Sequence, residues 1–183
     1  MTTRYDLSWL QTLVARGKRQ KYVFFWGHRK PKSGEVTKSC FSQWYGASFK
    51  VERERFATAE HWMMAEKAAL FDPGPIRQEI IRADNPGKAK ALGRQVKGFD
   101  PKVWNAKKFD IVVEGNYHKF SQNDDLKAFL LATKNRVLVE ASPVDPIWGI
   151  GLDEHDTRAQ NPLQWKGQNL LGFALMVVRD RLA

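Results

Sequence analysis

The spacing of apolar residues predicts a chain built mostly from helices. In long stretches the apolar positions recur every three to four residues, and N-cap residues or prolines mark several of the starts. We expect about seven helices. The segments with this pattern are 6–15, 57–71, 76–83, 86–96, 101–104, 109–120, 126–132 and 170–182.

Short stretches between these segments have the composition of strands. Residues 22–26 are aromatic and β-favouring, residues 137–140 form the clearest strand, and residues 49–55 are compatible with a hairpin. We therefore expect a mainly α fold with a minor β part: a single compact multihelical domain around a buried central helix. Residues 1–20 are expected to form an accessory helix, and residues 21–183 the domain itself.

The segment 57–71 lies at the centre of this pattern. Thr58 is a good N-cap, and Glu60 suits the positive end of a helix. At about 100° per residue, Glu60, Met64 and Lys67 fall on one side of a helix that is apolar nearly all round. Such a helix is normally buried, and charges in buried surroundings need partners or a function.

Composition limits the class of protein. The chain has 183 residues and one cysteine, Cys40, so it cannot form an internal disulfide. No apolar run reaches the roughly 18 residues of a membrane span, and the N-terminus lacks a signal-peptide pattern. We therefore expect a cytoplasmic protein with no membrane contact and no obligate protein partner. Cys40 is interpreted as a buried or half-buried thiol rather than a nucleophile.

The formal net charge of +10 favours anionic partners without specifying one. Eight lysine or arginine residues and one acid, Glu35, lie between positions 16 and 38. This stretch fits either a solvated basic surface or a rim that contacts phosphate. Lys88, Lys90 and Arg94 recur at helical spacing, and the same two interpretations apply to them.

The residues give little support for metal or dinucleotide chemistry. The four histidines form no close pair, and no His-x-x-x-His or Cys-x-x-Cys spacing occurs. The glycines next to Trp148 lack the helix-opening context of a dinucleotide-binding loop, and no Walker-type or Gly-x-Ser-x-Gly sequence is found. We expect no metal and no cofactor.

Glu60 and Lys67 are the strongest candidates for chemistry. A lysine in apolar surroundings has a lowered pKa, which makes its amine a usable nucleophile or base. A carboxylate on the same helix face can move protons to a leaving group. The alternative is that the two charges neutralise each other as a structural pair. Spacing alone leaves both interpretations open.

A second candidate region is residues 142–151, whose prolines and glycines indicate a loop. Asp145 supplies an acid there and Trp148 supplies a flat aromatic ring, and such loops often carry binding groups. Flat aromatic rings can stack on the faces of nucleobases. Trp104 is either another such stacking ring or a tryptophan that fills the core.

These residues belong to a series of short motifs in fixed order. The motifs are FWG at 25–27, FSQW at 41–44, TAEHW at 58–62, AEK at 65–67, NP at 85–86, ALGR at 91–94, VKGFD at 96–100, Trp104, GN at 115–116, KF at 119–120, VEASP at 139–143, DPIWGIG at 145–151, WKG at 165–167 and NLLG at 169–172. Taken together, they make the chain resemble the NADAR family, also called the YbiA-like N-glycosidase family.

The resemblance implies a mainly helical fold and a hydrolase of N-glycosidic bonds. Family substrates are phosphorylated early intermediates of riboflavin biosynthesis and, in other branches, ADP-ribosylated guanine in nucleic acid. The expected partner is therefore a phosphorylated ribosyl small molecule or an ADP-ribose-modified nucleic acid. The expected catalytic residues are Glu60 as proton carrier, Lys67 as Schiff-base nucleophile, and Asp145. The expected substrate-binding residues are Trp26, Gly27, Ser42, Gln43, Trp44, Arg94, Trp104, Trp148 and Asn169.

Two positions depart from the family pattern. Gln43 stands where many members have Asn, and Glu66 stands where a Gln is common. Gln43 reaches further than Asn, so the base selectivity could differ. A function from another class, a non-catalytic binding module for ADP-ribose or nucleic acid, stays open. The Glu60–Lys67 pair argues against it, because a binding module does not need that pair.

Overall fold

The computed structural model describes residues 5–183 and has the expected mainly α architecture, with seven α-helices and four short strands in this part of the chain. The helices are α1 (Leu7–Ala15), α2 (Ala59–Phe71), α3 (Pro75–Ile81), α4 (Pro86–Gly93), α5 (Pro101–Ser121), α6 (Asp124–Leu131) and α7 (Leu170–Leu182). The strands are β1 (Tyr22–Phe25), β2 (Phe49–Val51), β3 (Glu54–Phe56) and β4 (Val137–Glu140).

Side-chain caps and prolines start several helices where the sequence indicates. Thr58 accepts a hydrogen bond from the third backbone N–H of α2, which satisfies one of the free donors at that helix end. Asn85 and Asp100 cap α4 and α5 in the same way. A proline occupies the first turn of α3, α4 and α5, where its missing N–H has no intrahelical acceptor to lose.

The strands form two separate two-stranded sheets. β2 and β3 pair as the expected antiparallel hairpin. β1 and β4 pair in parallel, with Tyr22 opposite Val137 and Phe25 opposite Glu140. Because parallel strands end at the same edge, the chain segments that follow Phe25 and Glu140 leave the sheet side by side. They form one wall of the cavity described below.

The helix α2 is central and buried, as the sequence predicts. It packs against α3, α4 and α5, and eight of its 13 residues are buried. Two glycines allow the close approach, because a side chain on Gly93 would collide with Met64 and one on Gly115 with Trp62. The Trp62 indole N–H donates to the Ile111 carbonyl at 2.8 Å, which fixes α5 against α2.

The helix α5 corrects the expectation of two separate helices. Residues 101–104 and 109–120 belong to one continuous helix of 21 residues. Gly115 weakens the intrinsic helix propensity of this segment, but it lies where the Trp62 ring approaches the backbone. Packing against α2 therefore accommodates Gly115 within the predicted segment 109–120. The stretch that the prediction missed is 105–108, Asn-Ala-Lys-Lys, which lacks large apolar residues but is helical.

Smaller differences concern the ends of elements. The helix α6 begins at Asp124, two residues before the predicted segment 126–132, and Asn123 is its N-cap. Short 3-10 helices form at Lys38–Phe41, Thr157–Gln160 and Pro162–Gln164, in stretches whose sequence predicts loops or irregular structure. None of them changes the position of the central helix.

The helix α1 packs on the outside of the larger domain. Leu10 is fully buried, and the ring of Trp9 meets the ring of Phe173 on α7 edge to face at 6.4 Å between centroids. Gln11 donates to the Pro162 carbonyl at 3.1 Å. The division of the chain into residues 1–20 and 21–183 stays a prediction.

Two negative findings apply to residues 5–183. No helix in this range combines the length and the apolar character that a membrane crossing requires. No group of three or more His, Cys, Asp or Glu side chains in this range is arranged to hold a metal ion.

Candidate active site

One cavity of about 750 Å³ brings together most of the expected site. It lies between α2, α4, the first turn of α5 and the segments that follow β1 and β4. Of the twelve expected site residues, eleven line this cavity and Asn169 does not. Its volume falls within the range of about 300–1,000 Å³ that is typical of ligand sites.

Glu60 lies in the first turn of α2 and is buried at the cavity wall. Only 2% of its surface is exposed, and Oε1 has no hydrogen-bond partner. Burial raises the pKa of Glu60 from 4.5 to about 7. The charges of Lys90 and Arg94 and a hydrogen bond from Trp44 act in the opposite direction, whereas Asp145 adds to the increase. Glu60 can therefore hold or release a proton near neutral pH, as a general acid or base requires.

Lys67 lies two turns further along α2 and lines the same cavity. Its Nζ donates to the Gly93 carbonyl at 2.8 Å and lies 4.4 Å from the centre of the Phe99 ring. Burial lowers the pKa of Lys67, and the charge of Arg94 lowers it further. No ion pair joins Lys67 to Glu60, and neither charge contributes to the pKa of the other residue. The interpretation of a purely structural pair therefore has no support.

Buried hydrogen bonds hold Gln43 and its neighbours at the wall. Lys119, fully buried on α5, donates to the carbonyls of Cys40 at 2.7 Å and Ser42 at 2.9 Å. Asn116 Nδ2 donates to Gln43 Oε1 at 2.7 Å. Nε2 of Gln43 is buried without a partner, so it is free to donate to a ligand. Burial raises the pKa of the Cys40 thiol to about 12, which fits an unreactive thiol.

Aromatic rings surround the cavity. Trp26, Trp44, Trp104 and Trp148 all line it, and Trp26 is 54% exposed, which is unusual for a tryptophan. The ring of His28 lies 5.5 Å from that of Trp44. Flat aromatic faces on several sides suit a heterocyclic base.

Asp145 shapes the loop that follows β4. Its Oδ1 accepts hydrogen bonds from the backbone N–H groups of Ile147 at 2.9 Å and Trp148 at 2.8 Å. One carboxylate oxygen therefore holds the loop and positions Trp148 at the cavity. Asp145 itself also lines the cavity.

The basic residues fall into two groups. Lys90 and Arg94, on α4 and at its end, line the cavity. Lys88 instead pairs with Asp84 at 3.0 Å on the exposed surface. None of the eight basic residues between positions 16 and 38 lines the cavity, so the solvated interpretation fits them and Lys88. Lys90 and Arg94 are the members of this basic set that line the cavity.

Asn169 lies behind the cavity wall, which departs from the expected substrate contact. It is fully buried; its Oδ1 accepts from the Glu140 backbone N–H and its Nδ2 donates to the Leu138 carbonyl, both at 2.9 Å. It occupies the N-cap position of α7 with φ of 54°, but its side chain caps no N–H of that helix. Asn169 thus fastens α7 to β4 and fixes the backbone of Glu140.

Glu140 is a cavity residue that sequence reasoning missed. It ends β4 and lines the cavity opposite α2. Its Oε2 is buried without a hydrogen-bond partner. Burial raises the pKa of Glu140 to about 8, with further increases from the charges of Asp145 and Glu60. The available signal was an acid at the end of an otherwise apolar strand, within a motif that the family resemblance already included.

The unpartnered polar atoms concentrate at this cavity. Within residues 5–183, four buried side-chain polar atoms lack a hydrogen-bond partner: Gln43 Nε2, Glu60 Oε1, Glu140 Oε2 and Asn116 Oδ1. Three belong to cavity-lining residues, and Asn116 bonds to one of them. Folded proteins leave few such atoms unpaired. Their common position indicates a site whose missing hydrogen bonds come from a ligand.

Comparisons with known proteins identify a structure with this fold and relatives in sequence. The NMR structure of the E. coli protein YbiA matches the fold with a TM-score of 0.71 and 29% identity, over 90% of this chain and 86% of that one. N-glycosidase YbiA of E. coli strain K12 is 34% identical over 143 residues, which cover 78% of this chain and 81% of the relative. N-glycosidase R617 of Acanthamoeba polyphaga mimivirus is 46% identical over 165 residues, 87% of this chain and 95% of the relative. The chain is therefore a hydrolase that acts on N-glycosyl bonds.

The family follows from the domain match. The family model for the NADAR domain matches residues 24–183, which is most of the chain. The chain belongs to the NADAR family, and the resemblance carried by the sequence motifs is confirmed. The region before the match contains α1.

Proposed function

We propose that the chain hydrolyses the bond between a base-like nitrogen and ribose C1 in a phosphorylated nucleoside-type substrate. Glu60 moves protons, and Lys67 is the nucleophile. The observation that carries the proposal is the position of both groups in one cavity whose buried polar atoms lack partners. Desolvation shifts both pKa values towards neutrality, as acid–base and amine chemistry require.

Substrate binding uses the two chemical faces of the cavity. Lys90 and Arg94 contact the phosphate or pyrophosphate, where cationic donors form strong charge-assisted hydrogen bonds. The base lies among the tryptophan rings, and Gln43 Nε2 donates to an acceptor on the base. This arrangement directs ribose C1 towards α2, from which both Glu60 and Lys67 face the cavity.

The reaction proceeds through a covalent intermediate. The neutral amine of Lys67 bonds to C1; the C1–N bond breaks, and its electron pair goes to the departing nitrogen, which takes up a proton. The ring oxygen then leaves C1, also with a proton, so that C1 and Lys67 form an imine. Water adds to the imine carbon, and Lys67 leaves as the amine. Glu60 carries protons between water and these atoms.

Two substrate types fit this chemistry. One is a phosphorylated intermediate of riboflavin biosynthesis, and the other is ADP-ribosylated guanine in nucleic acid. Both contain an anionic group for Lys90 and Arg94 and a flat base for the tryptophans. The exposed Trp26 at the cavity and the net charge of +10 are compatible with either ligand.

Product chromatography tests the activity. The protein is incubated separately with each substrate type, and the released base and sugar phosphate are separated and quantified. We expect a free base from at least one of them. Binding to both substrates without a released base would instead identify a non-catalytic binding module.

A matched pair of lysine variants links any activity to the proposed site. Lys67→Met removes the amine, whereas Lys88→Met removes a surface lysine paired with Asp84. Base release is expected to be lost only in Lys67→Met. Equal release by both variants would contradict the role of Lys67.

A further inference from the structure

Glu140 is a second buried carboxyl group in the cavity, and the reaction described above does not use it. The surrounding structure fixes its backbone. Its N–H donates to Asn169 Oδ1 at 2.9 Å, and its carbonyl accepts from the Ile150 N–H at 2.9 Å. In the parallel pair it lies opposite Phe25 of β1. The side chain therefore starts from a rigid position at the carboxyl end of the parallel strand pair.

One of the two side-chain oxygens of Glu140, Oε2, lacks a partner within the protein. Oε2 is buried and makes no hydrogen bond, and no lysine or arginine of residues 5–183 forms an ion pair with Glu140. A buried carboxyl oxygen without a partner is costly unless a ligand completes it. Because Glu140 lines the same cavity as Glu60 and Lys67, that ligand is the substrate.

We propose that Glu140 is a further catalytic residue, the acid that gives a proton to the departing base, while Glu60 serves the ribose oxygen and the attacking water. This inference rests on the proposed N-glycosidase reaction. Without Glu140, a single carboxyl group would have to transfer protons both to the departing base and at the ribose. With Glu140, each carboxyl group serves one end of the broken bond.

The electrostatic surroundings favour this division. Glu140 faces Glu60 from α2, Asp145 from the loop after β4 and Lys90 from α4. Burial and the two acidic neighbours raise its pKa to about 8. Glu60 is also buried, but Lys90, Arg94 and a hydrogen bond from Trp44 favour its carboxylate form. The surroundings therefore favour the protonated form of Glu140 more than that of Glu60, as a division into an acid and a base requires. At neutral pH Glu140 keeps its proton and can donate it.

The step balances as follows. The C1–N bond breaks, its electron pair goes to nitrogen, and the proton on Glu140 moves to that nitrogen or to an atom conjugated with it. The base leaves neutral, and Glu140 remains as a carboxylate. The water that later adds to C1 supplies the proton that restores Glu140. The net reaction remains hydrolysis of one N-glycosyl bond.

A leaving-group comparison tests the proposal. Glu140→Gln keeps the size of the side chain and a hydrogen-bond donor but cannot transfer a proton. The probes are an N-ribosyl substrate that the wild type cleaves and 4-nitrophenyl β-ribofuranoside 5-phosphate, whose leaving group departs as a stable anion. We expect kcat for the N-ribosyl substrate to fall about 100-fold or more, and kcat for the nitrophenyl probe to fall by less than about tenfold.

Glu60→Gln is the matched control, and it should slow both probes because the ribose oxygen and the water are common to both reactions. An equal loss on both probes in Glu140→Gln, a loss confined to KM, or no loss would overturn the assignment. A wild type that releases no base from either N-ribosyl substrate would refute the proposed function itself, which is a different result.

The pH profile gives a second test if the wild type does not cleave the nitrophenyl probe. In the wild type, kcat should fall above about pH 8, where Glu140 loses its proton. In Glu140→Gln this basic limb should disappear from the residual activity. An unchanged basic limb would contradict the proposal. Glu140→Asp, which keeps an acid at this position, should retain the limb and serves as the variant if the glutamine protein fails to fold.

Discussion

Two lysines, the half-buried Lys67 and the fully buried Lys119, both have a pKa lowered by burial but differ in their surroundings. Burial lowers the pKa of both, to about 7 for Lys119. Lys119 is fully buried, and its Nζ donates to two backbone carbonyls, those of Cys40 and Ser42. Lys67 donates to one carbonyl, that of Gly93, and lines an open cavity. A desolvated amine is therefore reactive only where a substrate can reach it.

The two regions also differ in how completely their polar groups are paired. Lys119 holds the chain around Ser42 in place and has no contact with the cavity. In the cavity that Lys67 lines, three other lining residues, Glu60, Gln43 and Glu140, each have a buried polar atom without a partner. A paired network stabilises structure, whereas an incompletely paired one indicates a binding site. The predictions below test this contrast.

The largest effect is expected when the accessible lysine is removed. Lys67→Met should lower kcat by at least about 1,000-fold, because the covalent route loses its nucleophile. Its free energy of unfolding should change little, since only one hydrogen bond, to Gly93, is lost. Steady-state kinetics and urea unfolding measure the two quantities. Activity that survives in Lys67→Met would place the nucleophile elsewhere and remove the contrast with Lys119.

Glu60 should make the stability of the protein depend on pH. The folded protein keeps this carboxyl protonated up to about pH 7, whereas the unfolded chain releases the proton near pH 4.5. The extra stability of the folded state is complete below pH 4.5 and is lost as pH rises towards 7. At about 1.4 kcal/mol per pH unit, the loss is about 3 kcal/mol.

Urea unfolding of the wild type and Glu60→Gln between pH 4.5 and 8 measures this dependence. The difference between their unfolding free energies should fall across the window, because the glutamine does not titrate. A constant difference would mean that Glu60 is not desolvated in solution.

Removal of the enclosed lysine should reverse the pattern seen at Lys67. Lys119→Met leaves the carbonyls of Cys40 and Ser42 without their donor, and the expected cost is about 2 kcal/mol in unfolding free energy. The folded fraction should keep activity within about tenfold, because no reacting atom is lost. A drop in kcat comparable with that of Lys67→Met, in protein that remains folded, would contradict the claim that access to the cavity distinguishes the two lysines.

The smallest effect is expected at the cavity rim. Lys90→Gln should raise KM by about tenfold through loss of a phosphate contact. Lys88→Gln, two residues away on α4 and paired with Asp84, should leave KM unchanged. The difference should shrink at high salt, because ions screen exposed charges. Equal KM values in the two variants would remove Lys90 from the phosphate site.

The helical framework could largely be predicted from the sequence. The central helix has a local signal, since Thr58 caps it and its apolar residues follow the helical period. The same period places Glu60 and Lys67 on one side. The predicted break between residues 104 and 109 was wrong: the segment 105–108 (Asn-Ala-Lys-Lys) contains no large apolar residue to continue the helical pattern, yet it lies inside the continuous helix α5.

The rest of the site depends on long-range pairing that local patterns do not record. Glu140 reaches the cavity only because β4 lies parallel to β1. Asn169 contributes to the structure because α7 returns against β4, and nothing in residues 169–172 reveals which strand it meets. Lys88 and Lys90 look alike in sequence, and only the orientation of α4 separates them.

Reduction of the covalent intermediate tests the role of Lys67 most directly. The wild type is treated with sodium borohydride during turnover of a substrate that it cleaves, and its peptides are mapped by mass spectrometry. If Lys67 forms the imine, the peptide that contains Lys67 gains the mass of the reduced sugar phosphate, and the Lys119 peptide does not. Continued turnover with no adduct on Lys67 would contradict the Schiff-base mechanism.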